Sequence, residues 1–296
     1  MRTLIATLTS AALAATAVVA VGAAPTVAAA PESAAGKGHY VEVNGLRSYY
    51  EVHGHGRGTP LVLVHGAFSA TGTSFGALLL QLAKGRKVIS VELQGHGHTA
   101  DVDRPLTLQD MADDTAALLR AIGVPKADVF GYSMGAGVAL SLALRHPGQV
   151  RKLVLASVAY TLDGMHPGMV ESMAKLKPEH LVGSPYHEEY LRIAPRPQDF
   201  PRLVEKVKNY LTAFPVITPA QLRAVTAPVL LIAGDSDIIR LAHTVELFSL
   251  FGGGVNGDVA GLPKSRLAVL PGTRHTTVTA QPALLFPLVP DFLDAA

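Results

Sequence analysis

The sequence predicts an α/β fold, a mostly parallel sheet flanked by helices, with a helical cap inserted before the penultimate strand. Three features point to it. From residue 60 onward, short apolar runs of strand length alternate with stretches of helical periodicity, as in crossover units that bury a parallel sheet on both faces. One run, Ala127 to Phe130, leads into Gly131-Tyr132-Ser133-Met134-Gly135 and then a helix-period segment, Val138 to Arg145. That order places a sharp strand-to-helix turn at Ser133. Third, the strand runs on either side of residues 160–226 are separated by roughly 65 residues, far more than an ordinary crossover.

In chain order, Tyr40–Val43 and Arg47–Val52 alternate apolar with polar about Asn44-Gly45, a two-residue hairpin signal. Pro60–Val64 and Lys87–Val91 are continuous apolar runs suited to strands buried on both faces, with a helix expected between them from about Thr73 to Ala83. Leu106 to Ile122 carries apolar residues at helical spacing, and Gly123 closes it. After the Ser133 turn come strand runs at Lys152–Val158, Pro228–Ala233 and Ser265–Leu270, then a final helix from about Pro282 to Leu293. The expected organisation is a signal peptide over residues 1–29, a core in two parts (39–159 and 227–296), and a cap over 160–226. Met165, His166, Tyr186, Tyr190, Phe200 and Phe214 make the cap rich in Met, His and aromatic side chains.

Composition narrows the chemistry. With 296 residues, 49% of them hydrophobic, the chain has ample material for a buried core, and a single α/β domain of this size is ordinary. A net charge of +2, spread without basic runs, gives no sign of a nucleic-acid partner. Cysteine is absent, so thiolate catalysis, disulfides and Cys-based metal sites are excluded. At the N-terminus, Arg2 precedes an apolar run from Leu4 to Val21, and small residues through Ala30 follow Pro25. This is the form of a secretory signal peptide, with cleavage expected after Ala29 rather than Ala30. The mature chain is expected to be secreted or periplasmic, without a membrane anchor.

The candidate nucleophile is Ser133. A serine hydroxyl needs a base, and the base needs a group that holds its tautomer. Only His243 and His275, of the twelve histidines, lie beyond both the turn and the cap. His243 falls in the helix-forming stretch Leu241–Leu250 and reads as a surface or packing residue. His275 follows a strand and the turn Pro271-Gly272-Thr273-Arg274, so it is the candidate general base and acid. Asp235 and Asp237 both follow the penultimate strand. Asp235 sits in the turn, where aspartate commonly caps its own backbone; Asp237, two residues on, is better placed to reach His275. An oxyanion hole is expected from the Ala67 and Met134 N–H groups, with His65 anchoring the loop that carries Ala67. His96 and His98, at i and i+2 with no carboxylate or Cys partner nearby, make a poor metal site, as does the His53/His55 pair, so no metal site is expected. The Gly252–Gly261 stretch lacks the context of a phosphate-binding loop.

Taken together, His65-Gly66-Ala67-Phe68, Gly95-His96-Gly97, Gly131-Tyr132-Ser133-Met134-Gly135, Gly234-x-x-Asp237 and Pro271-Gly272-Thr273-Arg274-His275 resemble the α/β-hydrolase superfamily over residues 39–296. Within it the chain is similar to capped serine hydrolases such as enol-lactonases, carboxylesterases, C–C bond hydrolases and cofactor-free haloperoxidases. Where the family pattern after Gly97 continues Arg-Ser, this chain has His98-Thr99. A serine at 133, not aspartate, departs from the haloalkane dehalogenase and epoxide hydrolase members. The resemblance implies an acyl-enzyme route on a small-molecule ester or lactone, with Ser133, His275 and Asp237 as triad and no cofactor. The alternatives are a perhydrolase or C–C hydrolase on the same triad, and a non-catalytic binding module.

Overall fold

A computed structural model describes residues 37–295; the expected signal peptide, residues 1–29, lies outside the described residues. Eight strands form one sheet: β1 (Lys37–Val43), β2 (Leu46–His53), β3 (Leu61–Val64), β4 (Val88–Val91), β5 (Ala127–Tyr132), β6 (Val150–Ala156), β7 (Val229–Ser236) and β8 (Arg266–Arg274). Their order is β1-β2-β4-β3-β5-β6-β7-β8. The β1–β2 and β2–β4 pairs are antiparallel and the rest parallel. The hairpin sits at the β1 edge, and its turn works because Asn44 and Gly45 both take positive φ, 49° and 75°.

The connecting helices are α1 (Thr71–Leu82), α2 (Leu108–Ala121) and α3 (Met134–Arg145) before the cap, and α8 (Leu241–Leu250), α9 (Gly257–Ala260), α10 (Pro282–Leu285) and α11 (Val289–Asp294) after it. One face of the sheet buries Met111, Leu118 and Leu119 of α2 with Val138, Leu140 and Leu142 of α3. The other buries Phe75, Leu78 and Leu82 of α1 with Phe292 and Leu293 of α11. Residues 160–226 hold α4 (Met169–Ala174), α5 (Pro185–Ile193), α6 (Phe200–Thr212) and α7 (Pro219–Arg223). Helix α6 buries Phe200, Leu203, Val204, Val207, Tyr210 and Leu211, one stripe at helical spacing.

Two expectations need correction. The single helix expected from Pro282 to Leu293 is broken into α10 and α11. Pro287 lies in the break; it has no N–H to donate, and its ring would clash with the carbonyl one turn back. The segment Pro271–Arg274 is not a free turn: β8 continues through it, with a register shift against β7 between Gly234 and Ser236. A proline is tolerated there because β8 is the sheet's edge strand.

Glycine at 131 and 135 follows from the closeness of the backbones. A Cβ on Gly131 would stand 2.3 Å from the Gly135 carbonyl oxygen, and one on Gly135 would stand 2.1 Å from that of Val64. Replacing Gly135 with Ala is therefore expected to destabilise the protein by about 1–3 kcal/mol, since only backbone movement relieves the contact. Denaturant unfolding measures it, and an unchanged midpoint would contradict the expectation.

Candidate active site

Ser133 stands between the end of β5 and the start of α3, with φ 55° and ψ −119°. A non-glycine residue in that region is held there by its surroundings. Ladder bonds grip the strand up to the kink, and the Ser133 N–H donates to the Ala156 carbonyl at 2.9 Å. Because Ser133 is the last non-helical residue, the side chain leaves the sheet while the first N–H groups of α3 converge behind it.

His275 follows directly on β8 and opens a 3-10 turn, His275–Ala280. Its Nε2 lies 2.9 Å from Ser133 Oγ, and its Nδ1 lies 2.7 Å from Asp237 Oδ1. An ionised carboxylate only accepts, so Nδ1 carries the proton and Nε2 is left to accept from the serine hydroxyl. The backbone of His275 is also held: the Tyr132 phenol donates to its carbonyl at 2.8 Å. Burial pushes the Tyr132 phenol pKa upward, so it remains a donor.

Asp237 is buried just beyond the end of β7. Burial alone would raise its pKa, but bonds from His275, Ser157 and the Ile239 N–H hold it below the usual carboxylate value. Asp235 has a different task. It is exposed and accepts from the Gly272 and Thr273 N–H groups at 2.8 and 3.1 Å as well as from the Ser236 hydroxyl beside it, so it clamps the bulge of β8. The structure brings Ser133, Asp237 and His275 together and leaves Asp235 outside.

The loop after β3 passes beside Ser133: a Cβ built on Gly66 would stand 3.3 Å from the Ser133 Cβ. His65 holds that loop, accepting from the Leu93 N–H at Nε2 (3.0 Å) with Nδ1 against the Gly66 carbonyl (2.8 Å). Burial pushes His65 down to about 3, so it stays neutral near neutral pH. The Gly66 N–H is taken by Ser74 Oγ at 3.2 Å. Among the described residues, neither the Ala67 nor the Met134 N–H donates to another protein group.

Several other contacts were not read from the sequence. His98, expected to have no carboxylate near it, lies 3.0 Å from Glu92 Oε2, and the ligand atoms of Glu51, Glu92 and His98 lie within 4.8 Å of one another. These groups are already engaged: Glu51 takes bonds from Tyr49 and His53, and Glu92 takes the His98 N–H. Glu51 thus bonds within β2 and Glu92 within the loop after β4. His243 is a packing residue, stacked 4.2 Å from the Tyr160 ring and accepting from the Tyr160 N–H. Several bonds tie the cap to the core. Glu189 of α5 accepts from the Thr73 N–H at 3.1 Å, near the start of α1, where a carboxylate faces unpaired donors. Lys206 of α6 reaches Asp101 at 2.7 Å. Ser157, whose hydroxyl bonds Asp237, was also missed. The expected strand run Lys152–Val158 contains it, but β6 stops at Ala156 and leaves Ser157 just beyond the strand end, as Ser133 is beyond β5.

Comparison with known proteins agrees with the fold. The α/β-hydrolase fold family matches residues 59–203. A 2-hydroxymuconate semialdehyde hydrolase from Pseudomonas sp. strain CF600 is 28% identical over 295 residues, covering 88% of this chain and 94% of that protein. Among solved structures, the enol-lactonase from Burkholderia xenovorans LB400 superposes with a TM-score of 0.65 at 19% identity, covering 87% of this chain and 100% of that one. A carboxylesterase structure from Nitrososphaera gargenis gives 0.67 at 22% identity, covering 86% and 97%.

Proposed function

Because the chain belongs to the α/β-hydrolase superfamily, we propose that it is a serine hydrolase that cleaves a carboxylic ester or lactone. The observation that carries this reading is the unbroken line from Ser133 Oγ to His275 Nε2 at 2.9 Å and from His275 Nδ1 to Asp237 Oδ1 at 2.7 Å. In this reading Ser133 Oγ attacks the acyl carbon while its proton passes to His275 Nε2. Asp237 stabilises the resulting imidazolium. The Ala67 and Met134 N–H groups receive the oxyanion, each contributing about 3–4 kcal/mol to the barrier reduction. Collapse of the tetrahedral species breaks the acyl C–O bond, and the leaving alkoxide takes the proton from His275. Water then attacks the acyl-enzyme with His275 as base, releasing the acid and restoring Ser133. The Met and aromatic side chains of the cap favour a small or medium uncharged substrate.

A second reading, hydrolysis of a C–C bond by the same residues, is favoured by the relative that aligns over nearly its whole length. We further propose that residues 1–29 direct export, on the strength of Arg2 and the apolar run that follows.

Intact mass before and after a fluorophosphonate probe, with peptide mapping, tests the central reading. One adduct on Ser133 is the expected result; none, with no turnover of any substrate, would overturn it in favour of a binding module. A panel of esters, lactones, a ring-cleaved dienoate, and acetate with peroxide then separates the hydrolase classes. Turnover of the dienoate alone would replace the ester reading by the C–C one. The starting mass of the exported protein gives the cleavage position, expected after Ala29.

A further inference from the structure

The serine that follows β6 repeats the backbone of the one that follows β5. These parallel strands pair with Tyr132 opposite Ala156, so Ser133 and Ser157 leave them side by side. Both have φ 55°. Among the described residues four non-glycine positions have positive φ: Asn44 in the hairpin turn, and Phe68, Ser133 and Ser157 at the sheet edge that carries the site. The Ser157 N–H is fixed by the Ile232 carbonyl at 2.8 Å, as that of Ser133 is by Ala156. Its hydroxyl is buried and donates to Asp237 Oδ2.

We propose that Ser157 is a positioning residue that acts through Asp237 and, by it, on His275. The inference rests on the serine-hydrolase reading of the same site. Asp237 is fully enclosed, its side chain 0% exposed. Its Oδ1 accepts from His275 and from the Ile239 N–H at 3.1 Å. Among the described residues Ser157 is the one donor to Oδ2. A buried carboxylate oxygen without a donor is costly, and a carboxyl group held at one oxygen alone is free to turn about its Cβ–Cγ bond. The Ser157 hydroxyl removes that freedom, keeping Oδ1 in line with His275 Nδ1 and hence Nε2 in line with Ser133.

The choice of residue supports this role. Glycine adopts φ near 55° without strain, whereas serine carries a Cβ there at a cost. A purely structural kink would be better served by glycine; a serine is useful for its hydroxyl.

The test compares Ser157→Gly with Ser157→Thr in the full-length enzyme. Ser157→Gly relieves the φ strain but leaves the buried Asp237 Oδ2 without a donor, two opposed effects, so its midpoint should stay near that of wild type. Its kcat on an ester should fall at least tenfold, with KM changed less than twofold. Ser157→Thr keeps the hydroxyl but puts a β-branched side chain at positive φ, so it should be less stable than wild type yet retain more kcat than the glycine variant. Opposite orders of stability and turnover are not the result of a structural role alone. The ring ¹⁵N–¹H spectrum of His275 supplies a readout without turnover: the Nδ1–H signal should shift or broaden in Ser157→Gly. A glycine variant with wild-type kcat and an unshifted Nδ1–H signal would overturn the proposal. A wild-type enzyme that neither turns over an ester nor takes a fluorophosphonate would instead overturn the hydrolase reading, and the His275 spectrum would still decide the role of Ser157.

Discussion

Ser133→Ala is expected to lower kcat on the preferred substrate by about 10⁶, to the level that the oxyanion donors and binding alone sustain. The loss is large because Ser133 Oγ is the atom His275 Nε2 faces at 2.9 Å, and an alanine methyl group cannot form the acyl-enzyme. The fold should be untouched. Ser133 is half-buried, and its φ of 55° costs an alanine about what it costs the serine. Circular dichroism and the thermal midpoint should match wild type, and the fluorophosphonate adduct should disappear. Residual esterase activity above a thousandth of wild type would show that another nucleophile does the work.

Asp237→Asn should cost about 10⁴ in kcat near neutral pH, by a different route. The amide is nearly the size of the carboxylate, so His275 and Ser157 keep a neighbour of similar shape. Its NH₂ group, however, can donate to His275 Nδ1, and a neutral imidazole with Nδ1 accepting carries its proton on Nε2. That tautomer presents a donor to Ser133 and has no lone pair with which to take its proton. The developing imidazolium also loses the buried negative charge beside it. Steady-state rates at saturating substrate measure the effect, and binding of a substrate analogue should be nearly unchanged. A fall of less than tenfold would mean that Asp237 does not set the His275 tautomer. Asp235→Asn makes the control: that carboxylate holds the Gly272 and Thr273 N–H groups, so its loss should affect β8 more than chemistry.

Much of the site was legible before any coordinates because its members sit at strand ends. An apolar run followed by Gly-x-Ser-x-Gly and a helical period identifies Ser133 by local pattern alone, and His275 is the one histidine beyond the cap outside a helical stretch. The preference for Asp237 over Asp235 came from its reach into the loop, and the structure sets Asp237 against His275 while Asp235 turns to β8. Gly131 and Gly135 belong to the same local motif, and it is backbone oxygens that fill the space a Cβ would need there.

Hydrophobic periodicity, turn chemistry and a chain-order motif, all properties of neighbouring residues, thus determined the α/β class, the hairpin, the Ser133 turn and the long insertion before β7. The tertiary structure alone decided which distant groups became partners. It put Ser157 on Asp237, the Tyr132 phenol on the His275 carbonyl, Glu189 at the start of α1, and Glu51 and Glu92 beside His98. It also carried β8 through Pro271. Each of these joins segments far apart in the chain or depends on what a neighbouring strand leaves free. A polar side chain's partner is chosen by burial and by the unsatisfied groups around it, and those exist only once the sheet has assembled.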